Sequence, residues 1–198
     1  MASRRKKKRS YEFKPDSAGS GLLKKLYLTR LQRQRLLKWL LYAGVCVVLS
    51  VIQDVIMSRI RIFGATTDLV AAAILLITVV AGTEAGSLFA LTASTLYFFS
   101  GSAPGAYVIA LLSFLGIGAA LFRQSYWHRG FTSTVLCAGL ALMLYEVLLF
   151  GVGMFMGLTH WGRLPVFLLT GAMSCAVMLP LYPLARSIGK IGGETWKE

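Results

Sequence analysis

Beyond residue 38 the chain is a succession of apolar runs, each closed by a short cluster of polar residues, glycine or proline. The first run extends from Trp39 to Met57 and stops at Ser58-Arg59-Ile60-Arg61. The second covers Thr67 to Ala81 and the third Ala85 to Phe99, with Gly82-Thr83-Glu84 between them. Gly101-Ser102-Ala103-Pro104-Gly105 then leads to a fourth run, Ala106 to Phe122. Phe131 to Met156 is the fifth and Pro165 to Ala185 the sixth. The runs are apolar on every face rather than alternating, and a helix crossing the roughly 30 Å hydrocarbon core needs about 20 mostly apolar residues. The pattern therefore predicts an all-α fold, a polytopic membrane bundle of six transmembrane helices. Runs two and three are short for a crossing, and a re-entrant hairpin is the alternative there.

Before the first run the pattern differs. Leu23, Tyr27 and Leu31 fall at i, i+4, i+8, while Lys24, Lys25, Arg30, Arg33 and Arg35 lie mostly on other faces. That spacing fits an amphipathic helix on the membrane surface, or else a simple extension of the first span into water. Residues 11–21 contain Pro15, Gly19 and Gly21 and read as a linker. The expected organisation is a basic tail over 1–21, a juxtamembrane helix over 22–38, a transmembrane domain over 39–187 and a C-terminal tail over 188–198.

Composition agrees: 56% of the 198 residues are hydrophobic and 15% charged, against about 25% charged in soluble domains. The formal net charge of +13 is unevenly placed. Residues 1–38 carry 13 of the 21 Lys and Arg against only Glu12 and Asp16, whereas the remainder is nearly neutral. A soluble globular enzyme and a disulfide scaffold are excluded by this make-up, and nucleic acid is not an expected partner. Basic residues near span ends are retained on the cytoplasmic side. With the N-terminus inside, 18 Lys and Arg fall inside and only Arg59, Arg61 and Arg163 outside, and six crossings return the C-terminus to the cytoplasm. The run Arg4-Arg5-Lys6-Lys7-Lys8-Arg9 would enforce that orientation and attract anionic lipid, at about 1 kcal/mol per basic residue near the surface. The first apolar run is too long for the core of a secretory signal.

Ionisable residues inside spans mark candidate sites. Asp54 follows Gln53 near the end of the first span, and Asp68 opens the second after Thr66-Thr67, a good capping sequence. Arg59 and Arg61 lie between them, so an Asp–Arg cluster is one expectation and interfacial capping another. Glu84 sits in the Gly82–Gly86 turn, where a carboxylate would complement the helix dipole of the third span. Glu146 lies deep in the fifth span and is expected to face the bundle interior, in an interhelical hydrogen bond or a polar cavity. Small residues recur four apart, as in Gly82/Gly86, Gly101/Gly105 and Gly153/Gly157, a spacing that lets membrane helices approach closely. Catalytic signals are scarce. His128 and His160 fall in loops on opposite sides, and Cys46, Cys137 and Cys175 read as small apolar core residues. No phosphate-binding loop and no metal motif is present in the sequence, so no catalytic residue, metal or cofactor is expected.

The order of these motifs resembles the rod shape-determining MreD family of bacterial inner-membrane proteins. Ser50-Val51-Ile52-Gln53 corresponds to the Gln-containing end of the first span. Thr67-Asp68-Leu69 stands at the family's Pro-Asp-Leu, with Thr67 in the place of the proline. Gly82-Thr83-Glu84-Ala85-Gly86 with Phe89 resembles the acidic Gly-x-x-x-Gly turn, and Gly101 to Gly105 with Ala110-Leu111-Leu112 the next turn and span. The acid often found late in the family's third span has no counterpart in Ala93 to Tyr97. The resemblance implies a six-helix layout like the substrate-binding subunits of energy-coupling-factor vitamin transporters. It also implies a non-enzymatic scaffold in peptidoglycan elongation and cell-shape control, bound to the bitopic protein MreC. Gln53, Asp54, Asp68, Gly82, Glu84, Gly86, Gly105 and Glu146 are then the candidate structural or partner-contact residues. A vitamin-type transport subunit, with His160 and Trp161 at its pocket, is the competing expectation. A membrane-embedded enzyme using Asp54, Asp68 or Glu146 is a more distant one.

Overall fold

The structure, a computed structural model, describes residues 30–126 and 130–191. Arg4 to Arg9, the stretch 22–29, His128, Arg129 and the tail 192–198 lie outside the described residues. Helix α1 (Arg30–Ile52) runs without a break through the boundary expected at 38–39 and ends in a π-helical turn, Gln53–Met57. A tight loop follows, in which Ile62 and Ala65 pair through their backbones and Phe63 and Gly64 take positive φ. Then come α2 (Leu69–Ala81), α3 (Thr83–Phe99), α4 (Tyr107–Tyr126), α5 (Phe131–Phe155) and α6 (Leu164–Gly189). The helical elements thus fall close to the six apolar runs.

Local chemistry explains the boundaries. The Asp68 carboxylate accepts a hydrogen bond from the Ala71 amide at 3.0 Å, so α2 starts with a capped first turn. Gly82, alone between α2 and α3, has φ +87° and ψ −179°, a conformation essentially restricted to glycine. It lets the chain reverse within one residue. Gly101, also at positive φ, follows the end of α3, and Pro165 stands in the first turn of α6, where its missing N–H costs nothing.

The reversal at Gly82 lays α3 antiparallel on α2. Gly86 of α3 lies against the Thr78 carbonyl of α2, where a Cβ atom would collide with the oxygen. Helix α2 is the axis of the molecule. Helices α1, α3, α4, α5 and α6 all pack on it, and they also pack in a ring on one another. Every α2 residue but Val80 is buried. The outer helices instead turn large apolar groups outward, including Leu88, Phe114 and Phe155. An inside filled by Ala, Ile, Leu and Val and an outside of Leu and Phe is what lipid as solvent permits and water does not.

Four helical stretches are long and apolar enough to cross a membrane: Gln32–Met57, Tyr107–Tyr126, Phe131–Phe155 and Trp161–Gly189. This is the make-up of a multi-pass membrane protein. Helices α2 and α3 fall short of that length, as the sequence had indicated for runs two and three. At 13 residues α2 is only about 20 Å long.

Candidate functional site

At the end of the bundle where α1 gives way to its π-helical turn, four helices are joined by polar side chains. Gln53 Oε1 accepts from the Val70 amide at 3.0 Å, reaching the first turn of α2. Its Nε2 lies 3.4 Å from the Tyr97 hydroxyl, which it meets as donor. That hydroxyl in turn donates to Asp68 Oδ2 at 3.1 Å, linking α3 to α2. The Asp68 amide donates to Ser174 Oγ at 2.8 Å and brings in α6. Both carboxylate oxygens of Asp68 are thereby engaged, Oδ1 as a helix cap and Oδ2 by a phenol.

From the fifth helix Glu146 points into the same interior. It is 3% exposed, and the bare Cα of Gly171 on α6 makes the room its stem occupies. It is within electrostatic reach of Asp68, Tyr97 and Tyr145. The Tyr145 hydroxyl is buried and has no hydrogen-bond partner among the described residues. The group is therefore a polar knot in an apolar bundle, built from Gln53, Asp68, Tyr97, Ser174 and, facing them, Tyr145 and Glu146.

The other candidate residues lie apart. Asp54 is exposed, and its Oδ1 accepts from Ser102 Oγ at 2.7 Å, tying the end of α1 to the loop between α3 and α4. In place of an Asp–Arg cluster, the two aspartates take hydroxyl and amide donors, while Arg59 and Arg61 are exposed. Glu84 is exposed in the first turn of α3, whose N-cap Gly82 offers no side-chain bond. Gly105 lies against the Tyr107 ring at the start of α4. Among the described residues, no group of three His, Cys, Asp or Glu is placed to hold a metal ion, and the three cysteines are free.

The opposite end of the bundle has its own polar fastening. Arg123 Nη1 donates to the Val79 carbonyl at 2.6 Å, satisfying an acceptor in the last turn of α2. The neighbouring Gln124 accepts from Thr83 Oγ1 at 3.0 Å. Tyr42 closes α1 onto α6 by donating to the Ala185 carbonyl at 2.9 Å.

Tyr97, Ser174 and Arg123 were not among the residues singled out from the sequence. Arg123 counts there only as one of the 18 basic residues placed inside. Tyr97 had one signal: it stands in the stretch of the third span where the resembled family often carries an acid, and its hydroxyl supplies the polar contact with Asp68. Compared with protein-family models, with curated proteins and with solved structures, the chain matches none.

Proposed function

We propose that this protein is a non-enzymatic scaffold of the bacterial cell-shape and peptidoglycan-elongation machinery, which works by binding an MreC-like bitopic partner in the inner membrane. The observation that carries the reading is the polar knot. Gln53 and Asp68 come from separate motifs of the MreD resemblance, 15 residues apart, and they converge on one tyrosine. Their side-chain polar atoms are spent on joining helices and on capping α2, which is work suited to a rigid platform rather than to attack on a substrate. Glu146 of α5 is buried in the same interior, against Gly171 of α6.

Six crossings, with both termini cytoplasmic, belong to this proposal. Its support is the alternation of helix ends: Asp54 bonds Ser102 at one end, and Thr83 bonds Gln124 at the other. A crossing by the short α2 is tolerable because the surrounding helices shield both of its ends from lipid.

Purification of the tagged full chain from bacterial membranes tests the function. A bitopic coiled-coil protein is expected to co-purify, and depletion is expected to round the cells. Recovery of no such partner, together with normal rods on depletion, overturns the proposal.

A further inference from the structure

The ring of helices around α2 is loosest between α1 and α3, and a cleft of about 640 Å³ runs along that seam, with Val70 of α2 also lining it. Trp39 lines one end and Asp54 the other. Fifteen helical residues separate them, or about 22 Å at 1.5 Å per residue. Ala43 on one wall and Ala93 on the other keep the cleft open through their short side chains. The hydroxyls along its length are engaged: Ser50 donates to the Cys46 carbonyl and Thr92 to that of Leu88 on their own helices, and Tyr97 donates to Asp68. The wall is apolar as a result, and the exposed Asp54 sets a carboxylate at one mouth.

These dimensions suit a small ligand, whose pockets run from about 300 to 1,000 Å³. Each leaflet contributes about 15 Å of hydrocarbon, so one extended chain entering at the Asp54 mouth would pass the midplane and still be covered. We infer that the seam binds one acyl chain of a phospholipid whose ammonium-bearing headgroup rests against Asp54. This inference stands apart from the cell-shape reading, since it concerns the α1–α3 seam and no protein partner.

The test is native mass spectrometry of the full chain, reconstituted with equal amounts of phosphatidylethanolamine and phosphatidylglycerol. Wild type is expected to retain the ethanolamine lipid several-fold over the glycerol lipid. Ala43→Trp, which fills the seam, should lower retention several-fold, whereas Leu144→Trp on the exposed side of α5 should leave it unchanged. Asp54→Asn should keep a bound lipid but erase the headgroup preference. Equal or greater retention of phosphatidylglycerol by wild type overturns the inference, as does undiminished retention by folded Ala43→Trp. If Ala43→Trp does not fold, the Asp54→Asn comparison decides, because that position is exposed.

Discussion

Removing one oxygen atom, that of Tyr97, would strand two partners at once: Asp68 Oδ2 loses a donor and Gln53 Nε2 an acceptor. Interhelical hydrogen bonds in membranes average about 0.6 kcal/mol, and an unpaired buried group costs more than the bond it lost. Tyr97→Phe is therefore expected to destabilise the protein by about 1 kcal/mol, read as a lower midpoint of thermal unfolding in detergent. Asp68→Ala should cost about 2 kcal/mol, since it removes the cap of α2 as well as the acceptor of Tyr97. The two losses share a bond, so the double variant should cost clearly less than their sum. Additive losses would show that Tyr97 and Asp68 do not act as a unit. The sequence made half of this pair legible. Asp68 stands behind two threonines at the head of an apolar run, and capping is a local property. Tyr97 lies 29 residues away, and its role depends on how α3 is rotated about α2, which no local pattern records. Ser174, 106 residues from Asp68, is a serine in a membrane helix like several others and becomes distinct only when α6 is docked.

At the scale of the element, the α2–α3 hairpin carries a sharper constraint than its glycine spacing alone conveys. A methyl group at residue 86 meets a backbone carbonyl, which cannot swing aside as a side chain would. That carbonyl, of Thr78, also accepts from the Gly82 amide and so holds the turn itself. Gly86→Ala should force α3 away from α2 at a cost of about 1–3 kcal/mol. Gly118→Ala on α4 places its methyl in open space and should be neutral or slightly stabilising, because alanine favours helix over glycine. Comparing the two unfolding midpoints separates a packing effect from a general intolerance of substitution. Arg123 completes the hairpin from outside it. Arg123→Ala leaves the Val79 carbonyl without this donor and is expected to loosen the turn, read as faster amide hydrogen exchange in residues 79–82, while exchange at the Asp68 end stays unchanged. The apolar runs showed where the helices are, because a long apolar segment in lipid has little alternative to helix. Before residue 39 they left two readings open, a separate surface helix or an extension of the first span into water, and α1 is continuous from Arg30.

For the whole molecule, the open question is how a helix of about 20 Å serves a bilayer core of about 30 Å. An isolated helix of that length would thin the bilayer around it, at a cost of fractions of a kcal/mol per Å of mismatch. Helix α2 is not isolated. Five longer neighbours enclose it, so its ends meet Gln53 and Ser174 on one side and Arg123 on the other rather than acyl chains. The proposed six crossings would then need only four helices of full length, with the charge pattern setting their direction. Single cysteines placed in a cysteine-free background would show this with a membrane-impermeant maleimide on intact cells. Arg59→Cys and Leu158→Cys, exposed in loops at the Asp54 end, should be labelled at once. Glu84→Cys and Ser125→Cys, exposed at the end joined by Thr83 and Gln124, should be labelled only after permeabilisation. If α2 and α3 were instead a re-entrant hairpin that stopped short of the far surface, Glu84→Cys would resist labelling on both sides while Ser125→Cys did not. The contrast between these two positions, close together in the folded protein, distinguishes six crossings from four.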